Sequence, residues 1–377
     1  MSNHFYKSPL LPDPLLGCEG EKILTAEQWQ QIRRPEILEL FHEHVYGRAP
    51  LQRPQYLRFI TVDKGEGWMG GKAVRKKIDI GYEGPGGNGV IHLYLFVPAQ
   101  AIRPVPTFLL ICNREAENMD PDREVQSPFW PAEHIVSRGY AAAVFHVEDL
   151  DPDKHDGFKN GVHGIFDPPE VPRPKDAWGT LAAWAWGASR VMDYLETDPD
   201  IDDKSVALVG HSRGGKTALW CGAQDERFAM VVSNDSGCGG AAITRCKKGE
   251  TINNINERFP HWFCENYKSF NGRENELPID QHMLLSLIAP RLLYVASASE
   301  DTWADPDSEF LACTHAERVY NLLGLKGLET LDMPAPECPL HQGSIGYHLR
   351  TGKHDLTLFD WNCFMDYADR HMKEARL

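Results

Sequence analysis

Residues 206–220 read VALVGHSRGGKTALW: an apolar run, a glycine, a serine, two further glycines and a helix-forming tail. Within it, Gly210-His211-Ser212-Arg213-Gly214 fits G-x-S-x-G, with a strand pattern before it and a helix pattern after it. A nucleophile elbow needs that context. Its serine sits at a strained strand-to-helix turn, and the flanking positions are small because neighbouring backbone passes too close for a side chain. The turn exposes the hydroxyl and aims helix-end N–H groups at it. The plainer alternative is a glycine-rich turn with an incidental serine; the flanking strand and helix, and Gly215 extending the turn, favour the nucleophile.

Outward from this stretch, short apolar runs recur at 106–112 (PTFLLIC), 141–147 (AAAVFHV), 229–235 (AMVVSND) and 291–299 (RLLYVASAS). Strands buried on both faces read this way. Helical patterns separate them at 178–195, 216–224 and 309–323. The alternation predicts an α/β fold: a mostly parallel twisted sheet with helices on both faces. Residues 74–82 (VRKKIDIGY) and 90–99 (VIHLYLFVPA), joined by EGPGGNG, predict an antiparallel hairpin ahead of it. Residues 1–50 read as a helical arm, in which Thr25 and Gln28 have capping-box form, Pro35 breaks the first helix and a second spans 37–46. No repeat or linker divides residues 51–377, which predicts a single catalytic domain with insertions near 150–177 and 236–289. Loops that long usually carry function.

A net charge of −15, with one short basic run (RCKK, 245–248), excludes nucleic acid as an expected partner. No stretch approaches ~18 consecutive apolar residues, so no membrane span is expected. The opening MSNHFYKSPLLPDP lacks a charged region followed by an apolar one, which predicts a cytoplasmic protein, or a secreted or periplasmic one if a leader has been removed. Nine scattered cysteines without a CxxC pair predict free buried thiols, not disulfides or a zinc site. Nothing in the sequence sets the oligomeric state.

A serine nucleophile needs a base, and the base needs a carboxylate to fix its tautomer. In elbow-type hydrolases the chain order is serine, acid, histidine. Asp235 ends the apolar run after the serine's own, and Asp301 follows the next. Both project from carboxyl ends of strands, where open α/β sheets place their sites. A loop-capping role is the alternative for each. Among sixteen histidines, His354 in TGKHD (351–355) follows the last apolar run, SIGYHLR, and precedes the C-terminal helix, the place of a triad histidine. His348 lies inside that run and reads as packed. His211, beside the serine, is a weaker rival because its side chain should point away from its neighbour's.

The oxyanion needs donors. The N–H of Arg213 supplies one, the loop near Asn113 a second, and the Arg213 guanidinium is a further source. Three other matches fail. GEGWMG (65–70) has a strand after it, not a helix, and reads as a glycine loop. Asp149-x-Asp151-x-Asp153 begins like a calcium loop, but Lys154 and Asn160 hold the obligatory glycine and glutamate positions, leaving a solvated acidic loop. Asp153, His155, Asp156 and His163 lack a spacing that fixes a metal. Neither a metal nor a cofactor is expected.

Together GHSRGGKTALW, NDSGCGGAA, SASEDTWADP and TGKHDLT resemble the bacterial glucuronoyl esterases, carbohydrate esterases of the α/β-hydrolase fold, from about residue 10 to the end. The S-R-x-G-K element with Ser212 and Lys216 is the most specific part. The resemblance implies a serine carboxylesterase that forms an acyl-enzyme on esters between (4-O-methyl) glucuronic acid of xylan and a lignin alcohol. It implies Ser212 as nucleophile, His354 as base and Asp235 as acid, ranked ahead of Asp301, the position some relatives use. Lys216, Glu250 and Trp303 fall where relatives hold the uronate sugar; a lysine and a carboxylate can bond ring hydroxyls and an indole can lie along the ring. Fungal members carry a disulfide-bonded cysteine where this chain has His211. The competing expectations are an acetylxylan or other carbohydrate acetyl esterase with the same triad, and a non-catalytic carbohydrate-binding protein of this fold.

Overall fold

In the computed structural model, which describes residues 10–50, 52–101, 104–168, 170–328 and 330–373, the apolar runs join one nine-stranded sheet. The strands are β1 (Leu57–Gly67), β2 (Ala73–Gly84), β3 (Gly87–Pro98), β4 (Val105–Cys112), β5 (Ala141–His146), β6 (Ile201–His211), β7 (Met230–Asn234), β8 (Leu292–Ala298) and β9 (Ile345–Arg350). Their spatial order is β1-β2-β3-β5-β4-β6-β7-β8-β9. Pairing is antiparallel from β1 to β5 and parallel from β5 to β9. The predicted hairpin is β2 and β3, closing at Gly84 opposite Gly87.

Alternation along β4 shows why the runs are continuously apolar. Leu109 and Ile111 enter one buried cluster with Trp184, Trp220 and Val319, while Phe108 and Leu110 enter another with Ile135, Trp361 and Phe364. Every β4 side chain is covered because helices lie on both faces. The helices Thr180–Leu195, Arg213–Gln224 and Pro306–Leu322 match the predicted stretches within a few residues.

Three local expectations change. β1 was not anticipated: it is an edge strand with a half-exposed, polar sequence, so the signal that marks buried strands is missing. GEGWMG is not a free loop, since its first half closes β1 and the rest forms a short turn (Trp68–Gly71) into β2. Pro35 does not break the N-terminal helix. Segments Ala26–Gln28, Trp29–Arg33, Arg34–Phe41 and His42–Tyr46 follow one another without a gap. The Arg34 N–H reaches back five residues to Trp29 O, and this wide turn sets Pro35 at the start of the next segment, where its missing donor costs least. Thr25 accepts from Gln28 N as expected, but Gln28 reaches the N–H of Leu24, not that of Thr25.

The same segment supports the elbow from behind. Tyr46 stacks on Trp220 of Arg213–Gln224 (4.5 Å, 8°) and donates to Gly239 O at 2.6 Å. All nine cysteines are free; Cys18, Cys246 and Cys338 are exposed, so the expected burial holds for the other six. No helix among the described residues is long and apolar enough to cross a membrane.

Candidate active site

β6 ends at His211, and Ser212 caps the helix Arg213–Gln224 with φ 57° and ψ −124°. A left-handed φ is strained for a serine, and such strain marks functional turns. The glycines explain how the chain tolerates it. A Cβ at Gly210 would lie on the carbonyl of Gly214, and one at Gly214 would come within 3.0 Å of Asn113 Oδ1. As the first helical residue, Arg213 has an N–H without an intrahelical acceptor.

Ser212, His354, Asp235 and Asp301 line one cavity of about 340 Å³, and side-chain atoms of the last three lie within 4.8 Å of one another. The imidazole chooses between the acids. His354 Nδ1 is 2.6 Å from Asp301 Oδ2. The carboxylate bonded to the imidazole in this structure is thus that of Asp301, the acid the sequence reading placed second. Strand order is the cause: β8 and β9 are neighbours with Ala298 opposite Arg350, and Asp301 and His354 follow these by three and four residues. The loops are tied by Ser299 N to Arg350 O and Glu300 N to Gly352 O, both 2.8 Å. Asp235, at φ 46°, is turned under the loop instead, accepting from Asp355 N at 3.3 Å with Arg350 Nη2 at 3.7 Å.

The two carboxyls differ in charge as well as position. Burial opposes ionisation of Asp301, but the hydrogen bond and charge of His354 outweigh it and hold the carboxyl below its usual range. Burial pushes Asp235 well above that range, reinforced by Glu309, Asp301 and Asp360 and only partly relieved by Arg350.

The His211 ring packs against His354, with centroids 4.5 Å apart, a neighbour not anticipated from the sequence. Arg114 Nη2 approaches Nε2 at 3.3 Å and Asn234 Oδ1 lies 2.6 Å from Nδ1. A guanidinium only donates, so Nε2 accepts and Nδ1 carries the proton. Burial first, then the neighbouring His354 and Arg114, hold the ring well below the usual histidine range. Both ring nitrogens are thus engaged, and the ring walls in His354. His348 is packed as expected, fully buried, with Nε2 2.9 Å from Asp360 Oδ1.

Lys216, Glu250 and Trp303 share the cavity with Ser212. The buried Lys216 donates to Ser236 O at 2.5 Å and stands 3.7 Å from Glu250, whose carboxylate accepts from the Trp303 indole at 3.1 Å. Trp303 is 47% exposed, so it is not a core residue. The 236–289 insertion adds Arg258, Phe259 and Trp262, which sequence reasoning missed; the clustered aromatics in RFPHWF were the available signal.

On the oxyanion side the structure departs from one expectation. The Arg213 guanidinium is committed, its Nε 2.6 Å from Asp153 and its Nη2 donating to Asn113 O at 2.8 Å. Asn113 is buried beside it and lines an adjoining cavity, not this one. Nor are the aspartates of residues 149–153 a solvated loop. Asp151 is buried against His163 Nδ1 (2.9 Å) and Thr180 Oγ1 (2.7 Å), and Asp153 gathers Arg213, His261 and Trp262. The insertion thus anchors the residue after the nucleophile.

Residues 136–324 match the family described as glucuronyl esterase, fungi. A carbohydrate esterase, MZ0003, from an unknown prokaryotic organism is 42% identical, covering 96% of this chain and 89% of that one. The 4-O-methyl-glucuronoyl methylesterase of Podospora anserina is 34% identical over 83% of this chain and 60% of its own. A glucuronoyl esterase from Solibacter usitatus superposes with a TM-score of 0.89 at 41% identity, covering 95% of this chain and 97% of that one. The mostly parallel sheet and the flanking helices are common ground with these α/β-hydrolases, and the chain belongs to the glucuronoyl esterase family of carboxylic ester hydrolases.

Proposed function

We propose that the protein hydrolyses esters of glucuronic acid, including its 4-O-methyl form, with Ser212 as nucleophile, His354 as base and Asp301 as the carboxylate that orients it. The observation that carries this reading is the 2.6 Å bond between His354 and Asp301 over the cavity that Ser212, Lys216, Glu250 and Trp303 share. Names of relatives point the same way, since several are 4-O-methyl-glucuronoyl methylesterases.

The chemistry follows from the layout. Ser212 Oγ attacks the uronate carbonyl while His354 Nε2 takes its proton, and Asp301 stabilises the imidazolium through Nδ1–H. The oxyanion is met by the Arg213 N–H at the helix start, with the Asn113 loop alongside. Collapse of the tetrahedral intermediate expels the alcohol, which takes the proton from Nε2. Water, deprotonated by His354, then attacks the acyl-enzyme and releases the uronate carboxylate. Lys216 and Glu250 bond ring hydroxyls, and Trp303 offers its indole face to the sugar.

The test compares methyl glucuronate with an acetylated xyloside. Faster turnover of the uronate ester, and fluorophosphonate labelling that is lost in Ser212→Ala, are expected. Faster turnover of the acetyl compound would overturn the uronate reading, and an unlabelled wild type would favour a binding protein.

A further inference from the structure

Arg114 joins three segments that come from separate strands. It stands two residues after β4, His211 is the last residue of β6, and Asp355 follows β9 by five residues. One nitrogen makes both contacts: Arg114 Nη2 lies 3.3 Å from His211 Nε2 and 2.8 Å from Asp355 Oδ1. His211 and Asp355 are the chain neighbours of Ser212 and His354. We propose that Arg114 is a positioning residue that holds the histidine loop against the nucleophile's turn from the β4 side of Ser212. The inference rests on the Ser212–His354–Asp301 reading above.

Sheet order gives the first reason. β9 lies three strands from β6, so the loop that carries His354 starts roughly 14 Å from the nucleophile's strand, at about 4.8 Å per strand. It must lean back over the ends of β8 and β7 to reach Ser212. Several tethers hold it from that side. Asp301, after β8, takes the imidazole; Glu300 N–H donates to Gly352 O; Arg350 Nη2 donates to Lys353 O and Asp355 O; and Asp235, after β7, accepts from Asp355 N. β4 flanks β6 on its other side. Arg114 therefore reaches the loop from across the elbow, and His354 is held between opposed tethers.

The fixing of Arg114 gives the second. Its guanidinium sits over the ring of the buried Phe129, 4.4 Å from the centroid, and its carbonyl accepts from His146 Nε2–H at 2.6 Å. Phe129 meets the His211 ring edge-on at 5.8 Å and accepts from the Trp361 indole at its own carbonyl, 3.1 Å away. The ion pair itself is 29% exposed at Arg114 and 46% at Asp355, so it adds little to stability. Its effect is on geometry, where a displacement of about 1 Å at the reacting atoms can cost ~10²-fold in rate.

Arg114 also lines the cavity beside that of Ser212, so a direct contact with substrate is the rival role; Asp355 lines neither cavity. Fluorophosphonate labelling separates the two, because it reads the serine and its base without the ester. Arg114→Met should lower kcat on methyl glucuronate and the labelling rate in parallel, by about 10- to 100-fold, with KM within twofold and Tm close to wild type. Asp355→Asn should lower both by about five- to tenfold, and the double variant should be no slower than Arg114→Met. Arg114→Lys, which keeps a cation for Asp355, should fall between Arg114→Met and wild type. Labelling within twofold of wild type in Arg114→Met, a loss confined to KM, or losses that multiply in the double variant overturn the assignment. A His354→Ala variant that labels as fast as wild type overturns the triad reading itself, a separate result.

Discussion

Two histidine–aspartate pairs, their histidines six residues apart along the chain, are built in opposite ways. His348 and Asp360 are both fully buried at 2.9 Å, with Tyr294 on the other ring nitrogen and Arg350 on the carboxylate. His354 and Asp301 are 2.6 Å apart, and the His354 side chain is 42% exposed, at the cavity of Ser212. A carboxylate partner alone therefore does not distinguish a histidine at a cavity from one packed in the core. What separates the pairs is the second nitrogen: committed inside the core in one, open to the nucleophile's cavity in the other. A proton shuttle requires the latter.

The contrast can be broken at several points. Replacing Ser212 or His354 with alanine should lower kcat by roughly 10⁴ to 10⁶ with little change in Tm; steady-state kinetics and thermal melts check both halves. Asp301→Asn should cost about 10² to 10⁴ in kcat, because the wrong tautomer is then favoured, whereas Asp235→Asn should cost less than about tenfold, since the imidazole's hydrogen bond goes to Asp301. Reversal of that order in parallel assays would restore Asp235 as the acid.

Asp360→Ala should act on stability instead, lowering the unfolding free energy in urea by about 3–5 kcal/mol by leaving buried partners unpaired. Activity per folded molecule, measured by active-site titration, should change little. Trp303→Ala should raise KM for methyl glucuronate about five- to tenfold, the worth of one aromatic face, and leave kcat nearly intact.

The smallest effect concerns pH. Asp235 has a folded pKa raised above the ordinary carboxyl value, so its contribution to stability is fully present below that value, near 3.8, and is lost as pH rises through the folded pKa. Asp235→Asn removes the loss. The variant should melt about one degree above wild type near pH 8, the shift that about 1 kcal/mol gives in a chain of this length, and the gap should close towards pH 4. A gap that widens on acidification would show that Asp235 is ionised in the folded protein.

Much of the site was legible because its signals are local. G-x-S-x-G between a strand and a helix needs only one turn of chain, and Ser212 occupies the strained position that the glycines permit. The loop after the last apolar run pointed to His354, which lines the same cavity as Ser212. β1 escaped because an edge strand needs no apolar face, and Trp262 and Asp153 escaped because each works through a partner about a hundred residues away.

The sequence alone determined the alternation of strands and helices, the nucleophile's turn and the choice of two carboxyls and one imidazole. Only the tertiary structure set the Asp301 carboxylate, not that of Asp235, on the His354 imidazole, brought His211 against His354 and set Trp303 at the surface. The physical reason is range: apolar periodicity and turn chemistry act over a few residues, whereas a hydrogen bond of 2.6 Å depends on which strands become neighbours in the sheet.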